Sequence, residues 1–157
     1  MNLISSRPTK RTEGGEKRKT VLFVCVENAG RSQMAEGFFR KYASRGYFTA
    51  SAGTRPSGEL NPLAVQVMKE VDIDISKQLP KIITEDMIRK ATVRVNMGCM
   101  DKQSCPTTLF IHKLLEWDIE DPKGKPIDKV REIRDEIEQK VRQLAADLVK
   151  SRPKIKL

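Results

Sequence analysis

Five residues separate Cys25 from Arg31 in the run Val24-Cys25-Val26-Glu27-Asn28-Ala29-Gly30-Arg31-Ser32. A thiol and a guanidinium at that spacing describe a site for a tetrahedral oxyanion with a nucleophile in its floor, provided that the intervening segment is a tight loop. Thr20 to Cys25 is β-branched and apolar and predicts a buried strand. Ser32, followed by Met34, Ala35, Phe38, Phe39 and Tyr42, predicts an amphipathic helix with Ser32 as its cap and Gly30 in the bend before it. Strand, loop and helix in that order turn the backbone N–H groups of Val26, Glu27, Asn28, Ala29, Gly30, Arg31 and Ser32 toward one concavity at the positive end of the helix. Arg31 closes the cradle, because its planar fork donates two parallel bonds to two ligand oxygens. The same field acts on the sulfur: a free thiol titrates near pH 8.5, and a helix N-terminus with a guanidinium lowers that to roughly 3.5 to 7.5. Cys25 is therefore a candidate thiolate nucleophile. The alternative, a small buried cysteine at a strand end, leaves the coincidence of Arg31, Gly30 and the strand-to-helix transition unaccounted for.

Two further features bear on the chemistry. Cys99 and Cys105 follow a predicted strand in Gly98-Cys99-Met100-Asp101-Lys102-Gln103-Ser104-Cys105-Pro106, which places them at the same sheet edge as Cys25. In a helix their sulfurs would be offset by about 9 Å and rotated by about 240°. A disulfide needs Cα atoms within roughly 7 Å, so joining them requires the segment to rearrange, as a redox switch would. Zinc binding with His112 is the alternative, and His112 is the single histidine of a chain that would have to supply about four ligands. The second feature is Asp121-Pro122. An acid in a loop over the cradle can protonate a departing oxygen, although an Asp-Pro pair by itself is a turn signal.

The elements that position these groups alternate. Tyr47 to Ser51 is a second strand, closed by Ala52-Gly53. Asn61 with Pro62 starts a second helix as N-cap and first helical residue, with Val65, Met68 and Val71 as its apolar stripe. Ile73 to Pro80 is a connector, and Thr84 opens a short third helix. Ala91 to Met97 and Lys113 to Ile119 are the remaining strands. Ile127, Val130, Ile133, Ile137, Val141, Leu144 and Leu148 recur at helical spacing and form a long last helix. The expected fold is α/β, a three-layer sandwich with a four-stranded parallel sheet, in which ligands bind beyond the carboxyl ends of the strands.

The chain has 157 residues and a net charge of +9. The charge is not spread evenly. Met1 to Thr20 holds six Lys/Arg against two Glu, Lys150 to Leu157 holds four Lys/Arg and no acid, and the rest is nearly balanced at 20 basic and 19 acidic residues. The expected organisation is a disordered basic extension over 1–19, a single catalytic domain over 20–149 and a basic tail over 150–157. Solvated ends account for the basicity, so no nucleic-acid partner is expected. No apolar stretch is long enough for a bilayer and none follows the basic start as a signal peptide requires. Three cysteines without an export signal point to a reducing, cytoplasmic setting.

The run from Val21 to Phe39, with Cys-x5-Arg-Ser-Gln-Met-Ala-Glu-Gly-Phe, resembles the thioredoxin-coupled arsenate reductases of the low-molecular-weight tyrosine phosphatase fold. So do Ser51-Ala52-Gly53-Thr54, Asn61-Pro62-x-Ala64-Val65, Asp72-Ile73-Asp74-Ile75-Ser76 and the two later cysteines. The resemblance covers about Lys19 to Val149 and implies a relay of three thiols. Cys25 would attack arsenate held by the loop and Arg31, with Asp121 assisting the departure of water. Cys99 would attack the sulfur of Cys25, and arsenite would leave. Cys105 would take over Cys99, carrying the disulfide to a mobile surface segment where thioredoxin or a similar dithiol reduces it. Asn28 and Ser32 match positions that hold the loop and the thiolate. The resemblance implies no tightly bound cofactor, and phosphate or sulfate as competing anions.

There are departures as well. Lys81 falls where some relatives carry an acid of a potassium site, so no cation is expected although Asn28, Glu36 and Ser51 fit. Only five residues lie between Cys99 and Cys105. Two alternatives remain: a phosphotyrosine or small-molecule phosphatase that uses Cys25, Arg31 and Asp121 alone, and a non-catalytic oxyanion- or arsenite-binding module. Lys123 after Pro122, in place of an aromatic residue, favours a small inorganic substrate over the first of these. His112 and Trp117 carry no assigned role.

Overall fold

Burial is continuous along Lys19–Cys25 (β1) from Val21 onward, where Val21, Phe23 and Cys25 face one side of the sheet and Leu22 and Val24 the other, all close to fully buried. A strand buried on both faces must be central, and it is: the computed structural model places β1 between Tyr47–Gly53 (β2) and Val93–Asn96 (β3), with Leu114–Glu116 (β4) outermost, in the order β2-β1-β3-β4. Every pairing is parallel. The structure describes residues 19–98, 105–110 and 114–150. The expected basic extension and tail lie almost wholly outside them, as do Cys99 and His112.

Three helices cover one face: Arg31–Tyr42 (α1), Pro62–Lys69 (α2) and Ile127–Lys150 (α4). Met34, Phe38 and Phe39 of α1, Val67 and Met68 of α2, and Val130, Ile133, Ile137 and Val141 of α4 meet Val21, Phe23, Val95 and Met97 of the sheet in one core. Trp117 joins this layer with its ring 5.9 Å from that of Phe23. The other face is thinner, with Ile88 of Glu85–Lys90 (α3) and Leu109 of the 3-10 turn Thr107–Phe110 packed on Leu22, Val24 and Ala52. The three-layer α/β arrangement is thus present. Among the described residues no helix is long and apolar enough to cross a membrane.

Several local readings change in the folded chain. Asn61 caps α2 as expected, its side chain accepting from Leu63 N and Ala64 N, and Thr84 caps α3 by accepting from Met87 N. The buried stripe of α2 is Ala64, Val67 and Met68, with Val65 only half-buried against the same core. The last strand is shorter than Lys113 to Ile119. After Trp117 N bonds to Asn96 O, the chain leaves the sheet and brings the Ile119 carbonyl to Arg31.

Helix α4 is tied to α2 through Glu70, whose carboxylate accepts from Arg131 Nε and Nη2 and from Arg134 Nη1 at 2.9 to 3.2 Å. The hydrogen bond from Arg131, and then that from Arg134, hold the Glu70 carboxyl below its ordinary value of 4.5. A depressed carboxyl contributes stability that is present above its unfolded value and is lost as pH falls through the folded one. Glu70→Gln is therefore expected to lower Tm at pH 7 and to leave it unchanged well below pH 4.5, as thermal melts across that range would record.

Candidate active site

The cradle forms because every carbonyl of the segment after β1 is claimed from outside the loop. Thr54 N, Arg55 N and Ser57 N donate to the carbonyls of Cys25, Val26 and Glu27. Asn61 N and Met34 N take those of Ala29 and Gly30, and Gln33 Nε2 takes that of Asn28. With the oxygens drawn outward the peptide N–H groups face inward, and among the described residues none of those of 27–30 donates to a backbone carbonyl. These donors meet the start of α1, which has no side-chain cap bond: Gly30 is the N-cap residue, and Ser32 does not cap. The amides that a cap would have satisfied remain for a ligand.

The bend belongs to Asn28, the loop residue at positive φ (52°). Asn28 is fully buried, and its side chain organises the whole site. Its Oδ1 accepts from Lys81 N (2.8 Å) and Gln33 Nε2 (3.0 Å), which fixes the amide so that Nδ2 donates to Ser32 Oγ (2.7 Å) and Ser51 Oγ (3.0 Å). Ser51 Oγ in turn donates a hydrogen bond to Glu36 Oε1 at 2.5 Å. Ser32 Oγ, already accepting from Asn28, has its own proton free for Cys25 Sγ at 2.9 Å. This is where Ser32 acts in place of the cap role: its hydroxyl is held between Asn28 and Cys25 rather than at the helix start. Cys25 is a free cysteine, 2% exposed, at the carboxyl end of the central strand.

The far end of this chain of bonds is the buried Glu36 carboxylate, whose charge is balanced by Arg40 Nη2 at 2.6 Å, one turn along the helix. Asn28, Glu36 and Ser51, the residues that fit the potassium site of some relatives, lie together here, with Arg40 on Glu36. Lys81 contributes its backbone N–H to Asn28, while its Nζ turns to the Leu79 carbonyl. Gln33 and Arg40 escaped the sequence reading, because their partners are brought in by the distant 78–81 segment or by one buried acid.

Glycines allow close approach here. A Cβ on Gly30 would lie 2.9 Å from Pro122 Cγ. A Cβ on Gly98 would lie 2.2 Å from Arg31 Nη1. Arg31 is thus pressed over Gly98, where Nη1 donates to the carbonyls of Met97 (3.0 Å) and Ile119 (3.2 Å). Those bonds spend one corner of the guanidinium and leave Nε and Nη2 as the edge for two parallel bonds to a ligand. Asp121 Oδ2 sits 3.5 Å from Arg31 Nη2, with Asp121 half-exposed over the loop. Cys25, Arg31 and Asp121 line one cavity of about 340 Å³, together with Glu27, Ala29, Gly30, Asn61 and Lys123.

The later cysteines stand apart from this cavity. Cys105 is disulfide-bonded, with its partner outside the described residues, and 4% exposed. It packs with Ile83, Ile88 and Leu109 in the layer opposite the core to which Cys25 belongs. Apolar neighbours from α3 and the 3-10 turn cover Cys105 in this arrangement. Among the described residues no group of three or more His, Cys, Asp and Glu could hold a metal ion, and the zinc reading involves Cys99 and His112, which lie outside them.

Known proteins carry the same framework. An arsenate reductase of Brevibacillus brevis is 38% identical over 130 residues, covering 83% of this chain and 96% of its own. A mutant of the YwlE arginine phosphatase with a phosphorylated active site serine superposes with a TM-score of 0.75 at 30% identity, over 85% of this chain and 97% of that one. The thioredoxin-dependent arsenate reductase of Corynebacterium glutamicum superposes with a TM-score of 0.73 at 33% identity, over 88% of this chain and 65% of that one. Residues 20–154 match a single family model, over most of the chain. The chain belongs to the low molecular weight phosphotyrosine protein phosphatase family.

Proposed function

We propose that this chain is an arsenate reductase that works by a three-cysteine relay and is recharged by thioredoxin or a similar dithiol. The observation that carries the reading is the Cys25 sulfur, facing an amide-lined cavity with the Ser32 hydroxyl 2.9 Å away. The curated arsenate reductase that matches nearly end to end supports reduction over hydrolysis. Arsenate enters with three oxygens toward the loop amides and the free edge of Arg31. The Cys25 thiolate attacks arsenic, and one oxygen leaves as water with protons supplied through Asp121. Cys99 then attacks the sulfur of Cys25. The sulfur–arsenic bond breaks with its electron pair going to arsenic, which falls from the +5 to the +3 state and departs as arsenite. A Cys25–Cys99 disulfide remains. Cys105 displaces Cys25 from Cys99, restoring the nucleophile, and an external dithiol reduces the Cys99–Cys105 disulfide by exchange.

A packed Cys105 sets a requirement on this scheme: the 99–105 segment has to change its arrangement between steps. Phosphatase activity is the second reading, favoured by Asp121 and Arg31 being in place without any need for the later thiols. One assay separates the two. The full chain is mixed with arsenate, thioredoxin, thioredoxin reductase and NADPH, and compared with Cys99→Ser and Cys105→Ser, using an aryl phosphate in parallel. Arsenate-dependent NADPH oxidation that both variants lose, with aryl phosphate turnover kept, is the expected result. Aryl phosphate turnover alone, unaffected by either substitution, overturns the reductase in favour of the phosphatase, and neither activity leaves an anion-binding module.

A further inference from the structure

Glu27 is out of character in an oxyanion cradle. Its carboxylate, two residues past the nucleophile and lining the same cavity, repels the ligand that the loop amides attract. The chain answers with Lys123, whose Nζ lies 2.8 Å from Glu27 Oε2. Lys123 reaches that point from the loop that sets Asp121 beside Arg31 and Pro122 against Gly30, and its backbone N–H donates to Asp121 Oδ1 at 3.0 Å. The hydrogen bond and charge of Glu27, with Asp121 adding to them, raise Lys123 above the ordinary lysine value, so the ammonium stays charged. Around the cavity Arg31 and Lys123 face Glu27, Glu59 and Asp121.

Resting on the reading of this cavity as the arsenate site, we propose that Lys123 is a substrate-binding residue. It bridges Glu27 to the mouth-facing oxygen of the bound anion, and so favours inorganic tetrahedral oxyanions over their esters. Three ligand oxygens suffice for the loop amides and Arg31, which turns the fourth toward the loop that carries Asp121 and Lys123. An ammonium has three donors. Glu27 takes one and leaves others for that oxygen. In a monoester the same oxygen carries an organic group, which loses the contact and has to displace the ion pair.

The test is calorimetric titration of the reduced full chain with inorganic phosphate and, separately, with phenyl phosphate, at two ionic strengths. Lys123→Ala is expected to weaken phosphate about tenfold and to flatten its salt dependence, while phenyl phosphate changes by no more than about twofold. Lys123→Arg keeps phosphate affinity within about threefold. Glu27→Gln tightens phosphate, and removing Lys123 in that background costs less than in the parent, the sign of a coupled pair. Equal weakening of both ligands by Lys123→Ala, or no change in phosphate affinity, overturns the proposal. These readings do not depend on turnover. A chain that follows the expected pattern yet never reduces arsenate overturns the reductase and keeps the Lys123 assignment, whereas a chain that binds no phosphate overturns both.

Discussion

Replacing Cys25 by serine is expected to remove arsenate reduction, and any aryl phosphate hydrolysis, by on the order of 10⁵-fold while leaving the anion site standing. The reason is the division of labour in the loop. Binding is carried by peptide N–H groups whose carbonyls are held from outside and by the Nε/Nη2 edge of Arg31, none of which involves the sulfur. In the proposed mechanism reaction is carried by the sulfur alone, since a serine hydroxyl at the same position is a poor nucleophile at neutral pH and cannot pass oxidation to another thiol. Kinetics and phosphate titration on the same preparation check both halves. Loss of phosphate binding together with activity would mean that the thiol holds the loop up rather than reacting in it.

The second large effect is expected at Asn28, and it is one of stability as much as of rate. Asn28→Ala takes the partner from the Lys81 N–H and from the oxygens of Ser32 and Ser51, the last two in a region closed to solvent. It also puts an alanine at φ 52°. Buried unsatisfied polar groups and a strained dihedral together cost about 3–5 kcal/mol, a fall in Tm of about 10 °C or more in a domain of this size. Asn28→Gly separates the two causes. Glycine tolerates the positive φ, so it should recover about 1 kcal/mol of the loss but none of the hydrogen bonding. Activity is expected to fall in both variants, because Ser32 then loses the donor that directs its proton to Cys25. Thermal melts of the two variants side by side make the comparison.

What could be read from residue types alone follows a physical divide. The strand ending at Cys25, the caps at Asn61 and Thr84, and the long helix from Ile127 are local patterns, and all four are where the spacing put them. The site's inner wiring is not local. Ser32 looked like a cap because serine before an apolar run usually is one, and only the arrival of Cys25 and Asn28 gives its hydroxyl better partners. Gly30 looked like a bend, yet what excludes a side chain there is Pro122, far along the chain. The Lys81 N–H on Asn28, Glu36 on Ser51 and Lys123 on Glu27 span 53, 15 and 96 residues. A signal did exist for the last of these: an acid inside an anion-binding loop calls for a base nearby. The burial of Cys105 was likewise not legible locally, because the neighbours that cover it are Ile83, Ile88 and Leu109.

The central claim is that oxidation moves from the pocket sulfur to the two later thiols. A disulfide map by mass spectrometry, taken on the fully reduced chain after one turnover with arsenate and rapid alkylation, tests it most directly. The account predicts alkylated Cys25, a peptide pair joined through Cys99 and Cys105, and one equivalent of arsenite. Three alkylated cysteines with arsenate unchanged, or a disulfide formed equally well when arsenate is left out, would contradict it.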